Sequence, residues 1–313
     1  MQIYSITLSL VMTVLLFASF HQKEQTEKLE EAEEIAKAGE VGMTGVTPGA
    51  LPQVITSIDL TKEYDFAGEA VPQDNFDALE RLDRELSVNS YWHSNTLLNL
   101  KASDRYFPVI EPILAKHNIP DDFKYLAVAE SNLRNETSPA GAKGFWQFLK
   151  STGEYYGLEI NDDVDERYHL EKSTEAVCLY LKDYYTQFGS WTLAAAAYNI
   201  GGPKMKKYLE EQKATNYYDL NFNSETSRYV FRVIAMKEIM TNPVAFGFYV
   251  NTDEIYQPFT YQIVLVDGPV SSWGEFALEH GTTYRMLKVF NPWLITKSLT
   301  NEAKKKYEVK IPL

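Results

Sequence analysis

Glu130 is the residue whose type and setting most suggest chemistry. It closes the apolar run Tyr125-Leu126-Ala127-Val128-Ala129, so a helix through this run would leave the carboxyl near its C-terminus and away from any charged face. The negative end of a helix dipole and a dry setting both disfavour ionisation and raise a carboxyl pKa. A carboxylic acid that keeps its proton near neutral pH can protonate a leaving oxygen, which is what cleavage of a glycosidic bond requires. On this residue alone, the plainer reading of a solvent-facing glutamate at a helix end is the stronger one.

Two further segments could place a ligand-facing surface beside such an acid. Ser138-Pro139-Ala140-Gly141-Ala142-Lys143-Gly144-Phe145-Trp146-Gln147-Phe148 sets small residues just before bulky aromatics. Glycines there let backbone approach a ligand closely, and Trp146 and Gln147 are expected to open the next helix. The run Ala194-Ala195-Ala196-Ala197-Tyr198-Asn199-Ile200-Gly201-Gly202 reads as a helix with an alanine face, ended by a glycine cap that leaves Tyr198 and Asn199 in its last turn. As pure structure, the first is a tight turn with a hydrophobic plug and the second a closely packed helix.

Helices must carry these segments. Phe76, Leu79, Leu82 and Leu86 recur at three- and four-residue spacing, as one buried helix face would. Leu97, Leu98 and Leu100 mark a second stretch, and residues 106–117 a third, with Val109, Ile113 and Leu114 to one side. Asn118-Ile119-Pro120-Asp121-Asp122 is a stop followed by a helix start, which puts a short apolar helix at about 123–132. More helices are expected at about 147–156, 173–188, 191–199 and 226–240, with no alternating strands between 75 and 245. After Pro258 the pattern changes to a strand at 261–265, helices near 272–280 and 284–290, and an alternating strand at 307–311. The expected fold class is therefore mainly α, with a small C-terminal α+β module. Such a module can hold its own core, so its removal is expected to leave the helical part intact.

Composition narrows the partners. A formal net charge of −13 argues against nucleic acid, whose phosphates call for clustered Lys and Arg. Cys178 is the sole cysteine and lies in an apolar pattern, which reads as a buried, inert thiol and leaves no thiolate metal cluster. His21, His93, His117, His169 and His280 are scattered, so no metal or other cofactor is expected. The uncharged apolar run 3–20 has the length of a signal h-region or a short membrane anchor, although no Lys or Arg precedes it and Ala18 and Ser19 make a mediocre cleavage site. An exported, periplasmic or cell-envelope location is expected. The acidic, then Gly/Pro-containing stretch 21–72 reads as a flexible linker.

Taken together and in order, Glu130-Ser131, Gly144-Phe145-Trp146-Gln147, Ala197-Tyr198-Asn199 and Glu225-Thr226 with Tyr229-Val230 resemble the successive motifs of lytic transglycosylases with a goose-lysozyme-like domain. Ser151-Thr152-Gly153, Asp165-Glu166-Arg167 and Ser173-Thr174 fit the same family, and the resemblance runs from about 120 to 242. The tail from Thr260 resembles a LysM carbohydrate-binding module in a divergent form: Gly268-Pro269-Val270-Ser271 stands where the family has Gly-Asp-Thr-Leu, while Asn291-Pro292 matches better. The resemblance divides the chain into a signal or anchor at 1–20, a linker at 21–72, a lysozyme-like catalytic domain at 73–256 and a LysM-like peptidoglycan-binding module at 257–313.

The resemblance implies a single catalytic acid, Glu130, acting on peptidoglycan glycan strands between N-acetylmuramic acid and N-acetylglucosamine and leaving 1,6-anhydro ends. It also implies substrate contacts or positioning roles for Ser131, Gln147, Tyr198, Asn199 and Glu225. For Glu225 the rival reading is an acid favoured by a helix N-terminus, and Tyr229 at its spacing reads as core. A hydrolytic muramidase on the same fold would need a second acid, for which Asp162, Asp163 and Asp165 are the nearest in sequence. A non-catalytic peptidoglycan-binding scaffold is the third reading, and it gives no reason to keep the acid.

Overall fold

The computed structural model describes residues 56–313. The segment 1–20 and the linker up to residue 55 lie outside the described residues. The described part is mostly helical, as the periodicity predicts, with a two-stranded module at its end.

The linker is shorter than expected. Residues 57–72 are already folded, because Tyr64, Phe66 and Val71 are buried in the main core. They form a small antiparallel hairpin, β1 (Asp65–Phe66) and β2 (Glu69–Ala70). Too few residues alternate here for a periodic pattern to stand out. Helix α1 (Phe76–Tyr91) follows, its first turn capped by the Asn75 side chain, which accepts from the Ala78 amide at 3.1 Å.

The two stretches expected at 97–100 and 106–117 are one 24-residue helix, α2 (His93–Lys116). Pro108 and Pro112 lie inside it, each removing a backbone donor. Buried Thr96, Asn99, Leu100, Phe107, Ile110 and Leu114 hold it together along one side. A 3-10 turn at Asp121–Phe123 leads into α3 (Lys124–Ser131), whose buried Tyr125, Leu126, Ala127 and Val128 anchor it in the core. Asn132 ends α3 in the left-handed region, and its side-chain oxygen accepts from Asn95 at 2.8 Å and Asn99 at 3.1 Å on α2.

The turn after α3 departs from expectation. Trp146 and Gln147 do not open a helix; α4 starts later (Lys150–Tyr155). They lie in a tight turn in which Lys143 and Phe148 exchange backbone hydrogen bonds and Gln147 has φ +50°. Gly144 is required there, since a Cβ would come within 1.9 Å of the Arg167 carbonyl oxygen. Arg167, itself buried against Asp165, donates to the Gly141 and Phe148 carbonyls at 3.2 Å each and ties the turn shut. The Trp146 indole donates to the Thr174 hydroxyl at 2.9 Å on α5 (Leu170–Phe188).

Helix α6 (Trp191–Ile200) carries the alanine face, fully buried from Ala194 to Ala197. Its N-terminus is capped twice. Ser190 accepts from the Leu193 amide, and Glu69 reaches over from β2 to take the Thr192 amide at 2.9 Å and the Ser190 and Thr192 hydroxyls at 2.7 Å each. Helix α7 (Gly202–Gln212), absent from the sequence reading, leads to α8 (Ser224–Thr241), which packs along α1 and against α3 and α6.

The tail has the expected strand, helix, helix, strand order: β3 (Tyr261–Val266), α9 (Trp273–Glu279), α10 (Tyr284–Phe290) and β4 (Tyr307–Pro312), with β3 and β4 antiparallel. Its core of Trp273, Ala277, Leu287, Val309 and Ile311 is completed by Val164, a fully buried residue from the helical part. Asp163 accepts from the Thr300 amide at 2.9 Å and from the Thr296 and Thr300 hydroxyls at 3.0 and 2.8 Å, while the Ile295 amide bonds the Asp163 carbonyl at 3.0 Å. Lys310 pairs with Glu171, and Tyr307 and Lys305 reach Glu159 at 3.1 Å. The expectation of a separable tail is therefore corrected: its core and that of the helical part share a residue and a set of polar ties.

Two outcomes follow. Deleting residues 257–313 exposes Val164, strands the Asp163 carboxylate and removes Lys310 from Glu171, so calorimetry should give a lower melting temperature and dye binding should increase; an unchanged melting temperature would show the tail to be a mere appendage. Glu69→Ala leaves the α6 donors unpaired and should cost about 2 kcal/mol of stability by chemical denaturation, the upper range for losing a helix cap; a loss within 0.5 kcal/mol, the ordinary scatter of surface changes, would contradict the bridging role.

Candidate active site

Glu130 sits in the last turn of α3, on the side of the helix that is only partly buried, while its preceding neighbours fill the core. The phenol of Tyr229 on α8 donates a hydrogen bond to Glu130 Oε1. The carboxyl pKa is pushed up to about 7, first because burial penalises the charged form. The Tyr229 bond and the Arg232 charge pull it partway back, and the Glu225 charge adds a small upward push. Glu130 therefore sits near half-ionisation at neutral pH, where one group can both give and take a proton.

Each residue singled out in the sequence has a defined place. Ser131 is buried, and its hydroxyl lies 3.0 Å from the Ala127 carbonyl and 2.9 Å from the Phe145 carbonyl, tying the end of α3 to the 144–148 turn. Gln147 is partly exposed; its amide donates to the Gly144 carbonyl at 2.8 Å and the Glu136 carbonyl at 3.2 Å. The Tyr198 hydroxyl donates to the Trp146 carbonyl, and burial followed by the nearby Glu130 charge keeps its pKa well above the ordinary tyrosine value. Asn199 accepts from the Thr226 hydroxyl at 2.8 Å, which joins the end of α6 to the start of α8. Glu225 lies in the first turn of α8, which Asn223 caps, and it pairs with Arg232 at 3.0 and 3.4 Å. Glu225 is a helix N-terminal acid and one of the charges that Glu130 feels.

Motif reading missed Tyr229 as a functional group and passed over Arg232 altogether. Tyr229 is indeed core by burial, at 1% exposure, yet its hydroxyl reaches the acid. Glu225, Tyr229 and Arg232 recur at four- and three-residue spacing, which puts them on one face of α8. That spacing was the available signal.

Three non-glycine residues near the acid, Asn132, Leu133 and Gln147, have positive φ of 52°, 54° and 50°. Backbone held this way is costly and persists only where surrounding contacts enforce it. The enforcing contacts here are the Asn95 and Asn99 bonds to Asn132 and the Arg167 bonds around the turn. A separate cavity of about 150 Å³ lies between the tail and the helices, lined by Tyr106, Phe145, His169, Phe259, Trp293 and Lys310 among others. Glu130 does not line it. Among the described residues no group of His, Cys, Asp or Glu is arranged to hold a metal ion.

Residues 108–221 match the family model described as the transglycosylase SLT domain, and residues 262–313 match the soluble lytic transglycosylase C-terminal LysM-like domain. Over 174 residues the chain is 32% identical to membrane-bound lytic murein transglycosylase D of Escherichia coli K12, and equally so to its counterpart in Escherichia coli O6:H1. That alignment covers 54% of this chain and 38% of the relative, so well under half of the relative's length is represented. Solved structures with weaker likeness include lytic transglycosylase Slt of Pseudomonas aeruginosa, in an inactive mutant form (TM-score 0.38, 19% identity, 49% of this chain and 26% of that one). The 70 kDa soluble lytic transglycosylase of Escherichia coli is another (TM-score 0.40, 18% identity, 57% and 33%). The segment that holds Glu130, Ser131, Gln147, Tyr198 and Asn199 thus lies within the match to the transglycosylase SLT domain, and the match to the LysM-like domain of soluble lytic transglycosylases follows it.

Proposed function

We propose that this protein is a lytic transglycosylase that cleaves the β-1,4 bond between N-acetylmuramic acid and N-acetylglucosamine in peptidoglycan, with Glu130 as its sole acid and base. The observation that carries the reading is the hydrogen bond from the buried Tyr229 phenol to the partly buried Glu130 carboxyl within the stretch that matches the SLT domain, where burial pushes the carboxyl pKa up to about 7. Glu130 gives its proton to the glycosidic oxygen as the C1–O bond breaks. The muramic N-acetyl group steadies the oxocarbenium centre. The Glu130 carboxylate then takes the proton of the C6 hydroxyl as its oxygen bonds C1, which closes the 1,6-anhydro ring and restores the acid without consuming water.

Three of the carboxylates that could hold a water for hydrolysis are otherwise engaged, which favours the single-acid route over a two-carboxylate one. Glu225 pairs with Arg232, Asp163 with Thr296 and Thr300, and Asp165 with Arg167 and Lys143. Ser131 and Tyr198 act by fixing the 144–148 turn against α3 and α6, while the partly exposed Gln147, Asn199 and Glu225 face the sugar. The relative's name, membrane-bound lytic murein transglycosylase D, supports action in the cell envelope. No described helix is long and apolar enough to cross a membrane; the apolar run 3–20 is what supports export or anchoring.

Mass analysis of products from purified sacculi should show anhydro-ended muropeptides, each one water lighter than the hydrolytic product; reducing-end muramic acid as the main product would replace this reading with a muramidase. Glu130→Gln should lose cleavage by about 10²-fold or more, since the amide cannot deliver a proton. The same substitution should stabilise the fold at pH 8. A carboxyl raised from 4.5 to about 7 is unpenalised below its unfolded pKa, and its stability contribution is lost as pH rises toward the folded value. Glu130→Gln should therefore gain roughly 1–3 kcal/mol over the parent at pH 8 and almost nothing at pH 4; equal stability at both pH values would deny the desolvated carboxyl.

A further inference from the structure

The cavity of about 150 Å³ between the tail and the helices takes no part in the chemistry proposed for Glu130. It is bounded by residues 105–109 of α2, by residues 168–171 at the entry of α5, and by both ends of the tail. Phe145, Phe259, Phe290 and Trp293 make much of its wall apolar. The one carboxylate of the lining, Glu171, is engaged: Lys310 pairs with it, and His169 Nδ1 approaches it at 3.2 Å. The other cation of the wall is unmatched. Arg105 Nε donates to the Gln257 carbonyl at 2.9 Å, and the guanidinium lies over the rings of Phe259 and Tyr256, 4.6 and 5.2 Å from their centres. The group is held in place in this way, yet among the described residues its two terminal nitrogens have neither a hydrogen bond nor an ion pair.

A fixed guanidinium with free terminal nitrogens is a planar fork that takes a carboxylate through two parallel hydrogen bonds. Aromatic walls beside it favour a ligand whose charge comes with an apolar body. A neutral sugar is served less well, because Glu171 is engaged and the Asn135 amide already donates to the Tyr168 carbonyl at 3.4 Å. The cavity is also smaller than the roughly 300–1,000 Å³ of pockets that enclose a whole small ligand, so a short piece of a longer chain suits it. In peptidoglycan the muramic carboxyl is consumed in the amide to the peptide, and the free carboxylates are carried by the stem peptides. We propose that this cavity binds a carboxylate of a peptidoglycan stem peptide, with Arg105 as the residue that recognises it. The proposal deepens the reading of the protein as a peptidoglycan enzyme and rests on it. Phe145 links the two sites: its ring lines the cavity, and its carbonyl lies 2.9 Å from the Ser131 hydroxyl, next to Glu130 in the chain. A strand held by its peptide is therefore held against the turn that abuts the acid.

Isothermal titration of the full chain with a free stem tetrapeptide tests the site without turnover, because the peptide contains no glycosidic bond. The tetrapeptide should bind, and the same peptide with its carboxylates amidated should bind about 10-fold more weakly or worse, the loss expected for a hydrogen bond to a charged group. Arg105→Gln should bring the free peptide down to the level of the amidated one. Arg105→Lys should fall between, since it keeps the charge and loses the fork. Melting temperatures report whether each variant folds; if Arg105→Gln does not, the free and amidated peptides are still compared on the unsubstituted chain. No peptide binding, equal binding of the two peptides, or undiminished binding by a folded Arg105→Gln overturns the proposal. So does displacement of the peptide by a peptide-free N-acetylglucosamine tetramer, which would make the cavity a sugar site. Anhydro-ended products from sacculi without any peptide binding would sink the cavity site alone. Arg105-dependent peptide binding without anhydro-ended products would keep the cavity site and remove the transglycosylase reading.

Discussion

The hydrogen bond from the Tyr229 phenol to Glu130 joins the two helices on whose relative position the site depends, α3 and α8. A desolvated carboxyl with no donor at all would be neutral far above neutral pH and slow to act as a base. One with several donors would be a permanent carboxylate. A single phenol, itself buried and reluctant to ionise, leaves Glu130 between these limits. The helix dipole acts in the same direction as burial, because the acid sits at the negative end of α3.

Holding that arrangement explains polar features far from the acid. Asn132 stops α3 just past Glu130 and is gripped by Asn95 and Asn99 from α2, so the last turn of α3 cannot fray. Arg167 and Asp165 close the glycine turn from behind, and the Ser131 hydroxyl and Tyr198 phenol bind its backbone from the front. Glu69 fixes α6 from β2, and Lys237 on α8 pairs with both Asp65 and Asp122, tying the same hairpin to α8 and to the entry of α3. The hairpin is thus a strap across three elements of the helical part. On the opposite side, Asp163 and Val164 commit the loop before α5 to the tail.

Much of this was legible from residue order. Leu82 and Leu86 mark the buried face of α1, the start signal at Pro120-Asp121-Asp122 places α3, and the alternation at 307–311 gives β4. What periodicity could not give falls into kinds with separate physical causes. The stretches 97–100 and 106–117 read apart because the mostly polar residues 101–105 interrupt the apolar pattern, yet buried Leu100, Ala102 and Phe107 carry one helix through them. Trp146 and Gln147 read as helix because the turn that holds them is enforced by Arg167, distant in sequence. Residues 57–72 read as linker because three buried side chains on a two-residue hairpin leave no repeat to detect. Glu130 was singled out by its apolar neighbours together with the motifs that follow it in order, whereas its bond to Tyr229 joins two helices, and only the shared face of Tyr229 and Arg232 on α8 hinted at it.

The central claim is that the acid keeps its proton near neutral pH because the fold has stripped it of water. Carbon-13 observation of the Glu130 carboxyl across a pH titration of the unsubstituted chain tests this most directly. A midpoint near 7 is the predicted result. A midpoint at the ordinary glutamate value of about 4.3 would mean a solvated carboxylate at the end of α3 and would contradict the account.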